Sequence, residues 1–428
     1  MKTVRYPDKK DWSSLLMRPI IDIESLDTIV KSILHDVKLN GEKAVKKYSK
    51  KFDGVVPDFF AVSQKELEDA EKQIDNELKE AVKLASENIF KFHNAQKPHP
   101  VEVETMPGVR CWQKAIPIEK VGLYIPGGSA PLFSTVLMLA IPAKIADCDE
   151  IILCTPPGKD GKINPAILYA AKVSGITRIF KIGGVQAIAS MAYGTETVPR
   201  VYKIFGPGNQ YVTAAKQIIA REGVAIDMPA GPSEVAVLAD EMSNPRFIAS
   251  DLLSQAEHGP DSHVVLISTS EKIINETLGQ IEIQLETLPR KIIAAKSLEH
   301  SIIILVHDYK EMMDLVNTYA PEHLIISTSN ANSLAERVLN AGSVFIGEYS
   351  PESAGDYASG TNHTLPTNGN ARAYSGINLD AYFKKVSFQE ITKEGLAKIG
   401  PAIERMALAE ALTAHQRAVS IRLKDNEQ

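Results

Sequence analysis

The chain has 428 residues, of which 44% are hydrophobic and 23% are charged, and its formal net charge is −6. This length exceeds the size at which one hydrophobic core stops growing, so we expect two main domains, and the balanced composition excludes a disordered or fibrous chain. Lys and Arg are dispersed along the chain, which leaves no basic footprint for nucleic acid or an anionic membrane, so neither partner is expected.

The sequence predicts a cytoplasmic protein. The N-terminus lacks the apolar stretch of a secretory signal, and the most apolar segment, 136–146, is too short for a membrane span and is interrupted by Pro142 and Lys144. Three cysteines, an odd number, are typical of a reducing compartment. Cys148 and Cys154 flank a short apolar run, which favours buried strand thiols over a catalytic nucleophile.

The first hundred residues predict an N-terminal arm at 1–20 and two amphipathic helices at about 26–50 and 64–92. Apolar residues such as Ile29 and Ile33 recur at helical spacing on one face. A long amphipathic helix must bury its apolar face, so these helices are expected to pack on a sheet.

From residue 121 short β-rich runs alternate with helical ones, which predicts the α/β class with two parallel, doubly wound, Rossmann-like domains. The predicted strands of the first series are 121–125, 150–154, 178–182 and 201–205, and those of the second are 234–238, 263–267, 301–305 and 343–346.

The domain boundaries follow from packing the N-terminal helices on the second series. Residues 21–123 together with 233–376 would then form one α/β domain, which carries the substrate and metal site. Residues 124–232 would form the other. The remaining 377–428 predict a helical tail that is too short to hold its own core and must dock on the body or on a partner subunit.

Three glycine-containing turns follow strands of the first series, at 124–128, 183–186 and 206–209. Glycine allows close backbone approach and the following helix presents N–H groups to an anion, so these turns predict a nucleotide site at the carboxyl ends of the strands. None completes the six-residue dinucleotide fingerprint. Each is also consistent with an ordinary tight turn, with Asn209 as a helix N-cap.

Gln255 and His258 are candidate metal ligands. The run Ser243 to Pro245 signals a helix start and Gly259 a stop, so the two side chains fall three residues apart on one helical face. Solvent-exposed capping is the competing interpretation.

Glu322 and His323 precede an apolar run that predicts a strand. Histidine is the side chain best suited to proton transfer near neutral pH, so this pair is a candidate acid and base. A histidine hydrogen-bonded at a strand start is the structural alternative.

Asp356 and His363 lie in a segment rich in Gly, Ser, Asn and Thr that predicts a functional loop. Carboxylate and imidazole are compatible with zinc, although an aspartate in such a loop more often caps a turn. In the tail, Glu410 and His415 stand five residues apart, and on one continuous helix they would point about 140° apart.

Six motifs, in preserved order, closely resemble the histidinol dehydrogenase family, and the match covers nearly the whole chain after residue 100. They are Tyr-Ile-Pro-Gly-Gly-Ser-Ala-Pro-Leu at 124–132, Gly-Pro-Gly-Asn at 206–209, Asp-Met-Pro-Ala-Gly-Pro-Ser at 227–233, the segment 255–258, Ala-Pro-Glu-His at 320–323 and Glu-Ser-Ala-Gly-Asp-Tyr-Ala-Ser-Gly-Thr-Asn-His at 352–363. The tail segment 410–415 also looks like that family's own.

The resemblance implies the NAD-dependent, four-electron oxidation of L-histidinol to L-histidine through the aldehyde, with Glu322 and His323 as acid and base. It further implies a homodimer with exchanged tails and one zinc ion per subunit. The implied zinc ligands are Gln255, His258, Asp356 and His415, the last from the other subunit. The implied NAD contacts of the domain at 124–232 are Tyr124, Gln186 and Asn209. The implied substrate contacts are the four zinc ligands with Ser233, His323, His363 and Glu410.

Three alternatives stay open at this point. The nearest is a zinc- and NAD-dependent dehydrogenase for another small polar alcohol. The others are a non-catalytic module that binds NAD or a metal, and a zinc hydrolase without a cofactor.

Overall fold

The computed structural model describes residues 1–18, 23–127, 131–229 and 231–424. Several sequence predictions therefore lie partly outside the described residues. The residues concerned are 19–22 at the end of the N-terminal arm and the start of the first predicted domain, 128–130 of the first glycine turn and motif, Ala230 of the motif at 227–233, and 425–428 of the predicted tail. The chain forms two compact units, one of residues 1–96 with 119–381 and one of residues 97–118 with 382–428.

The strands, in chain order, are β1 (Lys2–Arg5), β2 (Val101–Met106), β3 (Val109–Pro117), β4 (Lys120–Tyr124), β5 (Glu150–Thr155), β6 (Arg178–Lys181), β7 (Lys203–Phe205), β8 (Ala225–Ile226), β9 (Glu234–Ala239), β10 (His263–Ser268), β11 (Ile302–Leu305), β12 (His323–Ser327), β13 (Ser343–Ile346) and β14 (Phe383–Ile391).

The α-helices are α1 (Trp12–Leu15), α2 (Ile23–Phe52), α3 (Gln64–Gln73), α4 (Asn76–Asn94), α5 (Phe133–Ile145), α6 (Pro165–Val173), α7 (Gly184–Tyr193), α8 (Gln210–Arg221), α9 (Pro245–Ala256), α10 (Glu271–Leu285), α11 (Lys291–His300), α12 (Tyr309–Tyr319), α13 (Ala331–Ala335), α14 (Glu352–Tyr357), α15 (Lys393–Ala409) and α16 (Thr413–Lys424).

The first unit contains a five-stranded parallel sheet in the order β6-β5-β4-β7-β8. The order reverses between β4 and β7, so a crevice opens at the carboxyl ends of these two strands. Gly206, at the end of β7, has a φ of 126°, and a Cβ there would collide with the carbonyl oxygen of Tyr124. Only glycine therefore allows the two strand ends to lie this close.

The same unit contains a six-stranded parallel sheet in the order β1-β11-β10-β9-β12-β13. Every residue of β9, β10, β11 and β12 is buried, as expected of strands covered on both faces. The two parallel sheets with their helices confirm the predicted α/β class. The edge strand β1, in the segment predicted as an arm, is an addition that the sequence analysis missed.

The long N-terminal helices cover the five-stranded sheet and not the six-stranded one. Helix α2 packs on α7 and α8, α3 on α6, and α4 on α5, and the apolar face of α2 around Val30 and Leu34 joins the core of that sheet. The expected packing on the second series was wrong. The six-stranded sheet is already covered by its own helices, with α9, α10 and α11 on one face and α1, α12 and α13 on the other.

The second unit combines an antiparallel sheet in the order β14-β3-β2 with the helix pair α15 and α16. The sequence predicted helices for the tail but not this sheet, because β14 pairs with β3, a strand that lies far earlier in the chain. The domain boundaries proposed from the sequence remain predictions. No helix in the described part of the chain is long and apolar enough to span a membrane.

Candidate active site

The candidate active site lies where the two sheets of the first unit face each other. A cleft of about 670 Å³ is lined by the turn after β7, at Gly208 and Asn209, and by residues at the beginning of β9, including Ser233. In open α/β sheets, ligands usually bind at the carboxyl ends of the strands. Here the six-stranded sheet contributes its amino ends, since Glu234 and His323 are the first residues of β9 and β12.

His323 is 3% exposed, and its two ring nitrogens have different surroundings. Nδ1 lies 3.3 Å from the carbonyl oxygen of Glu234, to which a protonated Nδ1 donates. Nε2 is buried without a hydrogen-bond partner, and the nearest carboxylate oxygen, from Asp356, is 3.7 Å away. This arrangement favours the tautomer whose Nε2 lone pair is free to accept a proton.

Glu322 is also held in place by Glu234. Its carboxylate accepts a hydrogen bond of 2.9 Å from the backbone N–H of Glu234, and its Oε2 lies 3.8 Å from His323 Nδ1. The backbone of one residue, the first of β9, therefore contacts both members of the predicted acid and base pair.

The side chain of Glu234 anchors this arrangement. Its buried carboxylate forms an ion pair with Arg18 and accepts a hydrogen bond of 3.0 Å from the Tyr319 hydroxyl. The guanidinium of Arg18 also lies 4.1 Å from the Tyr319 ring centroid, and His263 Nδ1 is 2.8 Å from the same hydroxyl.

Gln255 and His258 belong to the same site, although not to one helix as predicted. Helix α9 begins at Pro245 after the cap Asn244 but ends at Ala256, so His258 lies just beyond it. The Gln255 amide is 3.1 Å from His258 Nδ1 and 3.2 Å from Glu352 Oε2. With its oxygen toward the imidazole, the amide accepts from His258 and donates to Glu352.

Asp356 and His363 lie together, and the predicted loop begins as the short helix α14. The backbone oxygen of Asp356 is 2.9 Å from His363 Nδ1, and the other ring nitrogen lies 3.0 Å from the Thr135 hydroxyl. Glu352, one helical turn before Asp356, is 1% exposed and 3.6 Å from His323 Nδ1.

Burial shifts the titration of His323, His363, Asp356, Glu322 and Glu352 toward their neutral forms. It lowers the pKa of His323 to about 3, helped by the nearby His258, and the pKa of His363 to about 4. Burial raises the pKa of Asp356 to about 6 and raises the pKa values of Glu322 and Glu352 well above their ordinary range.

The cluster has the donor set of a cation site. One ligand atom each from His323, Glu352 and Asp356 lies within 4.8 Å of the others. Within the described ranges the Glu352 and Asp356 carboxylates lie 3.6 and 3.7 Å from nitrogens of the neutral His323 ring and form an ion pair with no Lys or Arg. Buried carboxylates without a basic partner are stabilised by a bound cation, and nitrogen and oxygen donors suit zinc.

A larger cleft of about 1100 Å³ lies over the carboxyl ends of β4, β5 and β6 and contains Tyr124, Gln186 and Asn209. The Tyr124 hydroxyl accepts from the Gly184 N–H at 3.0 Å, which leaves its own proton free to donate. The Gln186 side-chain oxygen is buried without a partner. Asn209 caps α8, as the sequence also allowed, and lines both clefts.

Glu410 and His415 belong to the second unit and are exposed in the single chain. Helix α15 ends at Ala409, Ala411 adopts a φ of 58°, and α16 begins at Thr413. The predicted divergence of the two side chains assumed one continuous helix. That assumption was wrong because the chain turns between them.

Three residues of the cluster were missed by sequence reasoning. Glu352 stands four residues before Asp356, a spacing that places two carboxylates on one helical face and could have been noticed. Glu234 and Arg18 gave no comparable signal, because their roles depend on contacts across more than 200 residues of sequence.

Two parallel α/β sheets, a cleft at a topological switch point and a buried cluster of imidazole and carboxylate groups define a doubly wound α/β protein with an enzyme-type polar site. The sequence profile described as histidinol dehydrogenase matches residues 16–423. The chain belongs to the histidinol dehydrogenase family.

Curated relatives and a solved structure agree with this assignment. The chain is 61% identical over 423 residues to a histidinol dehydrogenase from Bacteroides thetaiotaomicron and 59% identical over 425 residues to one from Bacteroides fragilis, with 99% of each chain covered. It is also similar to the crystal structure of histidinol dehydrogenase from Elizabethkingia anophelis, with 54% identity, a TM-score of 0.97, and coverage of 100% of this chain and 99% of that one.

Proposed function

We propose that this protein oxidises L-histidinol to L-histidine through the aldehyde, with two molecules of NAD and one zinc ion per subunit, in the cytoplasm. The observation that carries the proposal is the buried, unpartnered Nε2 of His323 beside the carboxylates of a cation-type cluster. The full-length similarity to curated histidinol dehydrogenases supports the choice of substrate.

The zinc site is proposed on Gln255, His258 and Asp356, with His415 of the partner subunit as the fourth ligand. The first three belong to one network of contacts in which Glu352 bridges Gln255 and His323. A zinc ion there would orient the amine and imidazole of the substrate.

His323 is the proposed base for the alcohol proton. Its lowered pKa keeps the ring neutral at pH 7, and Glu234 occupies Nδ1, so the proton is taken at Nε2. A bound NAD would accept the hydride that leaves the same carbon. Ser233 and His363, with Glu410 of the partner subunit, are the further proposed substrate contacts.

Glu322 is the proposed group that activates water. An aldehyde gives up a second hydride only after water has added to it. The Glu322 carboxylate, which the Glu234 backbone N–H holds beside His323, is the second candidate proton acceptor of the site. The overall reaction consumes one water and two NAD and releases two NADH.

The NAD site is proposed on Tyr124, Gln186 and Asn209. The free hydroxyl proton of Tyr124 and the unpartnered amide oxygen of Gln186 offer one donor and one acceptor to a polar ligand in the larger cleft.

The test is metal analysis of the purified protein combined with NADH absorbance during turnover of L-histidinol. We expect one zinc per subunit, two NADH for each histidine formed, and loss of both metal and turnover after chelation that zinc restores. A turnover that needs no NAD, or one NADH per product, would contradict the proposal.

A further inference from the structure

Asp53 is an acidic residue of the larger cleft that comes from the end of a helix and not from a strand of the sheet. It follows the last residue of α2, Phe52, and its backbone N–H bonds to the Ser49 oxygen, which extends the helix end over the carboxyl ends of the strands. Together with Gln186 and Tyr124, Asp53 lines the cleft.

The Asp53 carboxylate makes few contacts that would stabilise the fold. One oxygen accepts a hydrogen bond of 3.3 Å from the Gln186 amide nitrogen. Among the described residues no basic side chain forms an ion pair with it, and burial raises its pKa to about 6. A half-buried carboxylate without a cation lowers the stability of the fold. Its position in the lining of a cleft therefore indicates that it binds a ligand.

Two further polar atoms in this cleft lack partners. The side-chain oxygens of Gln186 and Thr155 are both buried without hydrogen bonds, and both residues are 0% exposed. Thr155 is the last residue of β5, the strand next to β4 in the sheet. Thr155 and Gln186 line the same cleft as Asp53. Hydroxyl groups of a ligand could bond to all three side chains, so the cleft indicates a ligand with several hydroxyl groups.

The end of β5 is where a doubly wound dinucleotide fold ordinarily places an acidic residue against the adenosine ribose. In this chain β5 ends in Thr155 and is followed by Pro156 and Pro157. The acidic residue of the following loop that lines the cleft, Asp160, is exposed and accepts a hydrogen bond of 3.1 Å from the Lys162 backbone N–H. Asp53, carried by α2, supplies the carboxylate at this end of the sheet.

We infer that Asp53 accepts hydrogen bonds from the adenosine ribose hydroxyls of the dinucleotide and excludes NADP, whose 2′-phosphate would face the carboxylate. This inference rests on the proposed use of a nicotinamide dinucleotide. A carboxylate near a phosphate dianion repels it strongly where water is partly excluded. Lys51 and Lys162 also line the cleft, and among the described residues neither forms an ion pair with Asp53.

The experiment is calorimetric titration of the full-length protein with NAD and with NADP, for the wild type, Asp53→Asn and Asp53→Ala. We expect Asp53→Asn to weaken NAD binding roughly tenfold, because hydrogen bonds to a charged acceptor are lost. The ratio of the NADP to the NAD dissociation constant should fall by at least about tenfold. This ratio does not depend on the folded fraction of a variant.

Asp58→Asn is the matched control, since it removes a carboxylate from an exposed position nearby that does not line the cleft. The ratio of the NADP to the NAD dissociation constant of Asp58→Asn should match that of the wild type. A ratio unchanged in Asp53→Asn, or a wild type that binds NADP as tightly as NAD, overturns the inference while leaving the proposed reaction in place. A wild type that binds neither dinucleotide and forms no NADH refutes the proposed function itself.

Discussion

At the scale of a single residue, His323 has two ring nitrogens whose neighbours treat them differently. The Glu234 carbonyl occupies one ring nitrogen, and the other is left buried and unpaired. Because an unpaired buried nitrogen is costly to maintain, its presence in this cluster indicates a group that acts on a ligand.

Replacing His323 with Gln should therefore lower kcat by about 10²–10⁴-fold while metal content stays at the wild-type level. Steady-state kinetics and metal analysis on the same preparation check both parts. His35→Gln, at an exposed position on α2, is the control for loss of a histidine. A loss of zinc in His323→Gln would instead make His323 a ligand, in agreement with its place beside Glu352 and Asp356.

At the scale of elements, the site depends on the amino ends of β9 and β12 being held in register. Val235 pairs with His323 across these strands, and the side chain of Glu234 is fixed by Arg18, from the N-terminal segment, and by Tyr319, the last residue of α12. Three elements that are distant in sequence thus converge behind the acid and base pair.

We expect Arg18→Met to lower the free energy of unfolding by about 3 kcal/mol, since it leaves a buried carboxylate without its partner. Arg5→Met is the matched control, because Arg5 pairs with Glu271 and both side chains are about half exposed. Its effect should be below about 1 kcal/mol. Denaturant unfolding measures both, and equal effects of the two variants would contradict a structural role for the Arg18 pair.

At the scale of the whole molecule, the second unit carries the two proposed site residues of the tail. Glu410 and His415 stand on either side of a turn between two helices and are exposed in the single chain. The proposed homodimer with exchanged tails would give both side chains a ligand to contact.

Subunit mixing tests this exchange. If each site combines His323 of one subunit with His415 of the partner subunit, His323→Gln and His415→Ala homodimers are both inactive, but each mixed dimer regains one intact site. After dissociation and reassociation of an equal mixture, activity should return to roughly one quarter of the wild-type value, because half of the dimers are mixed under random pairing. Equal mixtures that stay inactive, although mass spectrometry shows mixed dimers, would rule out exchange.

The sequence alone determined the parallel strands, the start of α9 and the presence of tail helices, because periodicity and capping are local properties of the chain. Residue types also predicted Gln255, His258, His323 and Asp356 as site candidates, and the structure places these four in one cluster.

Only the tertiary structure decided which sheet the N-terminal helices cover, how β14 pairs with β3, and that Arg18, Glu234 and Glu352 support the site. An amphipathic helix shows which of its faces is buried but not which surface receives it. Contacts across hundreds of residues arise from packing the whole chain, and no short stretch of sequence encodes them.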